Sequence, residues 1–171
     1  MPTAVDRRTV DLSEYPDLVV IYLGMRVRTL AGIKTVLGLD PQIEAAGAGR
    51  PDGLLHFENN IIYRLFPPHV GMRWYWKDFE SMERWTRSEP HRIWWQNFIR
   101  ASGGTSFWHE VYLMRGGMEG VYNDMKGKTV GFQAFAPGMA ASGARSSARK
   151  RLGLRGDAPA LEATSSDLTV S

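Results

Sequence analysis

The chain's 171 residues suit one domain with a tail and leave no room for two full cores, since a domain usually takes about 100–200 residues. A hydrophobic fraction of 43% beside 23% charged residues is that of a globular protein, and the absence of cysteine excludes disulfide frameworks, thiolate nucleophiles, zinc ribbons and cysteine-ligated iron–sulfur clusters. Of the net charge of +3, +2 falls after residue 136, where Arg145, Arg149, Lys150, Arg151 and Arg155 outnumber Asp157, Glu162 and Asp167; this is a solvated end, and nucleic acid is not expected as a partner.

Residues 1–16 form an extended arm ending in Tyr15-Pro16. The first thirteen residues lack the apolar segment of a signal peptide, and no run approaches the roughly 18 apolar residues of a membrane span. A cytoplasmic protein with no membrane partner is therefore expected. Leu18 to Val27, rich in β-branched and aromatic side chains, predicts a strand. Leu30 to Ala46 predicts a helix on the spacing of Leu30, Ile33, Val36, Leu37 and Ile43, with Pro41 kinking or restarting it and Asp40 available as a second cap.

Gly53 to Leu65 reads as a strand bulged or broken at Glu58-Asn59-Asn60, and Phe66-Pro67-Pro68-His69 as a turn that exposes His69. Val70 to Trp76 predicts the next strand. Asp78 then caps a helix carrying Phe79, Met82 and Trp85, and Ser88-Glu89-Pro90 opens a second piece to Arg100 that buries Ile93, Trp94 and Phe98. Ser106 to Met114 is the last predicted strand. The order strand, helix, strand, strand, helix, strand is the split βαβ, ferredoxin-like α+β arrangement, spanning residues 17–136.

Helices can cover only one face of such a sheet. The other is aromatic, and a homodimer forming an αβ-barrel is the expected way to bury it. Residues 137–171 read as a basic, low-complexity, disordered tail with a short helix near Ala148 to Leu154.

The four histidines, His56, His69, His91 and His109, lie thirteen or more residues apart and form no metal motif. No phosphate-binding glycine loop or Gly-x-Ser-x-Gly elbow is present either. Trp108-His109-Glu110-Val111-Tyr112 brings an imidazole, a carboxylate and a phenol together, yet strand alternation sends His109 and Val111 to one face and Trp108, Glu110 and Tyr112 to the other. Aromatic side chains beyond the needs of packing suggest walls for a flat or apolar ligand, with Trp74, Trp76, Trp108, Tyr22, Phe57 and His56 as candidates.

The stretch Met72 to Trp85, continuing through Ser88-Glu89-Pro90-His91-Arg92, together with Phe107 to Tyr112 and Met118 to Met125, resembles the dimeric αβ-barrel monooxygenase-like proteins. It is similar to the small family that includes a polyketide monooxygenase of fumagillin biosynthesis, whose bacterial members are labelled monooxygenase or phenylacetaldoxime-dehydratase-like. The resemblance covers roughly residues 6–135. It implies a ferredoxin-like homodimer with an apolar pocket between sheet and helices.

Relatives in that superfamily oxidise aromatic or polyketide substrates with oxygen and no cofactor, while others bind or degrade haem through a histidine late in the second helix, where this chain has Trp94 and Trp95. The expectation is an oxygen-using enzyme for a hydrophobic small molecule that needs no cofactor. In it His109, or alternatively His91, takes a substrate proton, and Glu110 and Tyr112 orient polar groups. The alternatives are a haem enzyme, monooxygenase or aldoxime-dehydratase-like, with His91 or His109 on the iron, and a non-catalytic binder of an apolar metabolite.

Overall fold

The computed structural model describes residues 5–115, 117–123, 125 and 130–153. The main sheet contains β2 (Val19–Val27), β3 (Leu54–Arg64), β4 (His69–Trp76) and β5 (Thr105–Leu113), antiparallel in the order β3-β4-β2-β5. Helices α1 (Leu30–Ala48), α2 (Phe79–Arg87) and α3 (His91–Arg100) connect them. This is the ferredoxin-like α+β fold that the order of elements predicts. Among the described residues no helix is long and apolar enough to cross a membrane.

Alternation along the strands divides the core in two. On the helix side Val19, Leu54, Trp74, Trp76 and Met82 form one buried cluster; on the far side Leu18, Val20 and Tyr75 form another. Helix α1 runs unbroken through Pro41, where Gln42 Nε2 donates to the Gly38 carbonyl (2.8 Å) and adds a bond to the turn that proline weakens. It meets the sheet through glycine: a Cβ on Gly32 would lie 2.4 Å from the Gly104 carbonyl oxygen, and one on Gly47 2.8 Å from the Phe57 ring. Riding on these two positions turns Ile43 inward and leaves Leu30, Ile33 and Leu37 exposed, contrary to the face that their spacing suggests. Ile93 is exposed as well, because α3 presents a different stripe to the sheet.

Strand β3 is continuous, and its register shifts between Glu58 and Ile61, at the predicted bulge. Asn60 takes the left-handed conformation there (φ 59°), which asparagine tolerates better than most residues. The bulge also places the Asn59 amide between two elements. Its oxygen accepts from Trp74 Nε1 (3.0 Å) and its nitrogen donates to Glu44 on α1 (2.7 Å).

The far face is covered in part by the chain itself. Strand β1 (Arg7–Val10) pairs with β6 (Tyr122–Asn123) and β7 (Gly138–Ala140) in a second, three-stranded sheet. Tyr15, Phe132 and Phe135 pack over Tyr75 and Leu18, and the Tyr15 and Phe135 rings meet edge-on at 5.2 Å. Buried Thr9 donates to the Gly120 carbonyl (2.6 Å). The arm is thus a paired strand. The expected tail starts as β7 and a short helix, α4 (Ala148–Arg151), held by Arg151 to Glu119 at 2.8 Å. Its remainder, 154–171, lies outside the described residues.

Replacing fully buried Trp76 by alanine is expected to destabilise the fold by about 3–5 kcal/mol. Asp78 caps α2 by accepting from the Ser81 backbone N–H (2.7 Å), and Asp78→Ala is expected to cost about 1 kcal/mol. Urea unfolding of both variants followed by far-ultraviolet dichroism checks the order; equal losses would show that the Trp76 ring is not the keystone of its cluster.

Candidate active site

Between the helix-side face of the sheet and the three helices lies a cavity of about 430 Å³. Its floor is Ile21, Leu23 and Met25 of β2, Met72 and Trp74 of β4, and Phe107, His109 and Val111 of β5. Leu39 and Ile43 of α1, Met82, Trp85 and Thr86 of α2, and His91, Trp94, Trp95 and Phe98 of α3 form its roof. The α3 residues recur at the spacing of one helical face, and the β5 residues at the spacing of one strand face. Among the described residues no Asp, Glu, Lys or Arg lines the cavity. Its polarity resides in Thr86, His91 and His109.

His91 opens α3 immediately after the chain leaves α2, which brings its ring back over the end of that helix. Its Nδ1 lies 2.8 Å from the Thr86 carbonyl oxygen. A carbonyl can only accept, so Nδ1 carries the proton and donates. The ring is half-buried against Trp85 (4.9 Å) and Trp94 (6.4 Å). Burial pulls the imidazole below its ordinary value, the Thr86 hydrogen bond opposes that, and the nearby His109 adds to the lowering. His91 is therefore neutral at pH 7, and the imidazole of His109 stands close to it at a more exposed position.

The other residues singled out in the sequence are distributed over both faces. Trp74 lines the cavity; Trp76 stands behind it in the solid core (6.2 Å between rings) and not in the wall, and Phe57 packs behind Trp74 at 5.6 Å. Tyr22, Trp108, Glu110 and Tyr112 lie together on the opposite face, around an open hollow of about 560 Å³ where the Tyr112 hydroxyl donates to Glu110. Glu110 and Tyr112 therefore cannot orient a molecule beside His91. His69 is not exposed as its turn suggests. It begins β4 and accepts from Trp108 Nε1 at 2.9 Å.

His56 also faces away from the cavity, stacked on Tyr75 (5.8 Å) and 3.9 Å from Glu58. There the structure shows a polar cluster that the sequence did not announce. Glu58 takes Arg73 Nη2 at 2.6 Å, the Gly131 backbone N–H at 2.7 Å and the Tyr75 hydroxyl at 3.2 Å. Burial works to raise the Glu58 carboxyl, but the Gly131 amide and the Arg73 guanidinium outweigh it and hold the group below its ordinary value. Glu58 thereby fastens the segment after residue 130 to the sheet. Among the described residues no group of three histidine or carboxylate side chains could hold a metal ion.

The family described as Monooxygenase af470-like matches residues 18–132. Aliphatic aldoxime dehydratases of Rhodococcus globerulus and Rhodococcus erythropolis are each 35% identical over a stretch covering 41% of this chain and 20% of theirs. A crystal structure of an aldoxime dehydratase in complex with butyraldoxime superposes with a TM-score of 0.63 at 25% identity, covering 78% of this chain and 38% of that one. A second aldoxime dehydratase structure gives 0.61 at 22% identity, covering 78% and 39%. The chain thus spans well under half the length of these relatives.

Because the Glu58 carboxyl is depressed in the fold, its contribution to stability is present above the unfolded value of 4.5 and is lost as pH falls through the lower folded value. Glu58→Gln is expected to cost about 2 kcal/mol at pH 7, and the gap to wild type should be narrower at pH 3. Urea midpoints at the two pH values measure it; a gap that does not change with pH would remove the charge from the explanation.

Proposed function

Given that this chain belongs to the monooxygenase af470-like family, we propose that it is an oxygenase-type enzyme whose substrate is a neutral, apolar small molecule held in the helix-side cavity, with His91 as its base. The observation that carries this reading is the Thr86–His91 hydrogen bond. It leaves a neutral imidazole, fixed in orientation, in an apolar wall. An imidazole neutral near pH 7 accepts a proton readily, and positioned bases of this kind contribute about 10²–10⁴ in rate. His109 is the more exposed of the two imidazoles and relays that proton to solvent.

The chemistry suited to these residues is oxidation of an acidic methylene. In its enol form the methylene gives His91 its hydroxyl proton, the resulting carbanion passes its electrons to dioxygen, and the methylene carbon becomes a carbonyl while the second oxygen atom leaves as water. Dioxygen is the oxidant, and the aromatic roof excludes bulk water from the carbanion.

A second reading rests on the curated relatives: removal of water from an aldoxime, with haem iron held by His91 or His109. An imidazole whose Nδ1–H donates to a backbone carbonyl presents Nε2 as a metal ligand. A haem also carries two carboxylates, and among the described residues no Lys or Arg lines the cavity to pair with them. The wall suits the iron but not the porphyrin edge, so the oxygenase reading is preferred. Titration with hemin separates the two. The preferred reading expects no stoichiometric Soret shift, and a sharp Soret band lost in His91→Ala would establish the second.

We also propose that a second copy of the chain covers the hollow of Tyr22, Trp108, Glu110 and Tyr112 on edge strand β5 and its neighbour, where the Tyr112 ring is exposed (46%). Sedimentation equilibrium at micromolar concentration should give twice 19.2 kDa, reduced toward one chain by Tyr112→Arg.

With anthrone as a probe methylene, His91→Ala is expected to lower kcat by about 100-fold or more. The wild-type rate should rise with pH through a value below 6.5 and then level off, because the base must be unprotonated and its folded value is lowered. An oxygen electrode reads both. Full activity in His91→Ala would sink the assignment, and tight binding without oxygen uptake would make the protein a binder.

A further inference from the structure

We infer that the molecule seated in the helix-side cavity carries a hydroxyl at its reacting end, as a phenol, enol or oxime does, and that this hydroxyl donates to His91 Nε2 while the rest of the molecule is uncharged. The inference rests on the reading of this cavity as a substrate site and adds the class of compound that it accepts.

The tautomer carries the first half. With Nδ1–H given to the Thr86 carbonyl, Nε2 of the neutral ring is an acceptor and nothing else. No hydrogen bond among the described residues uses it. Three of the neighbouring donors are committed elsewhere: Trp94 Nε1 donates to Gln42 (3.1 Å), Trp74 Nε1 to Asn59 (3.0 Å), and the Thr86 hydroxyl to the Glu83 carbonyl (2.9 Å). An acceptor in the wall of an apolar cavity is met by water or by the ligand. A ligand without a donor would displace that water and leave the nitrogen unpaired, and such a loss costs more than an average hydrogen bond is worth.

The second half follows from what the wall lacks. A carboxylate, a phosphate or an ammonium buried among these side chains would meet no opposite charge, and burying an unpaired charge is heavily disfavoured. A substrate held on a phosphorylated carrier could enter only by its apolar part. A volume of about 430 Å³ lies in the range of small-molecule pockets.

Calorimetric titration of the full chain with 4-propylphenol and 4-propyltoluene tests this, because the two differ by hydroxyl against methyl at nearly equal size. The phenol should bind at least about tenfold more tightly, despite being the less hydrophobic of the pair. Butyraldoxime against its O-methyl ether repeats the test for the oxime source, and whichever pair shows the larger ratio identifies the preferred hydroxyl. In His91→Phe the preference should vanish while 4-propyltoluene still binds, which also reports that the variant folds. At pH 8, 4-propylbenzoate should bind at least about tenfold more weakly than the phenol.

Equal or tighter binding of 4-propyltoluene in wild type, or a preference that survives His91→Phe, overturns the hydroxyl assignment and leaves the cavity reading standing. Benzoate binding as tight as that of the phenol overturns the uncharged class. If none of the probes binds, the cavity is not a substrate site and both readings fall.

Discussion

The pleat of the central sheet is the constraint on which everything else depends. Successive side chains of β2, β4 and β5 must leave on opposite faces, so one short run of sequence supplies two unrelated environments. His109 goes to an apolar cavity under the helices, and Glu110 and Tyr112, on either side of Val111, go to an open polar hollow behind it. Any chemistry in this chain has to be assembled within one face. On the helix side that means imidazole, indole and aliphatic groups with no charge; on the far side it means carboxylate, guanidinium and phenol.

Each face is then stabilised by its own device. On the helix side the β3 bulge places Asn59 between the Trp74 indole and α1, which fixes the floor of the cavity to its roof. On the far side Glu58, one residue earlier and pointing the other way, gathers Arg73, Tyr75 and the Gly131 amide, and so ties the later part of the chain down over Tyr75. A single irregularity in one strand therefore serves both layers. Bulges commonly redirect a side chain in this manner beside functional sites.

The resulting cavity is chemically sparse, and that sparseness is informative. Hydrophobic enclosure supplies affinity without orientation, so the few polar atoms must decide which end of a guest lies where. The Thr86 carbonyl acts through His91: it selects the tautomer, holds the ring against Trp85 and leaves Nε2 as the ring's acceptor. Relatives matched over less than half their length share the sheet and the helices. The proposed function accordingly rests on the wall of this chain's own cavity and not on theirs.

The order of strands and helices, the bulge at Glu58-Asn59-Asn60, the Asp78 cap and the division of residues 108–112 between two faces were all legible in the sequence, because each is a local consequence of periodicity or of a single side chain. The spacing of His91, Trp94, Trp95 and Phe98 along one helical face was also present, although Trp94 and Phe98 read there as core. What needed tertiary structure was every feature that joins distant segments. The pairing of Arg7–Val10 with strands of two and three residues has no period long enough to detect. Glu58 and Arg73 lie fifteen residues apart, and nothing in either one names the other. The preference for His91 over His109 came last and from the least visible source, a backbone carbonyl on the preceding helix, since every residue carries such a group and only the folded chain decides which one an imidazole meets.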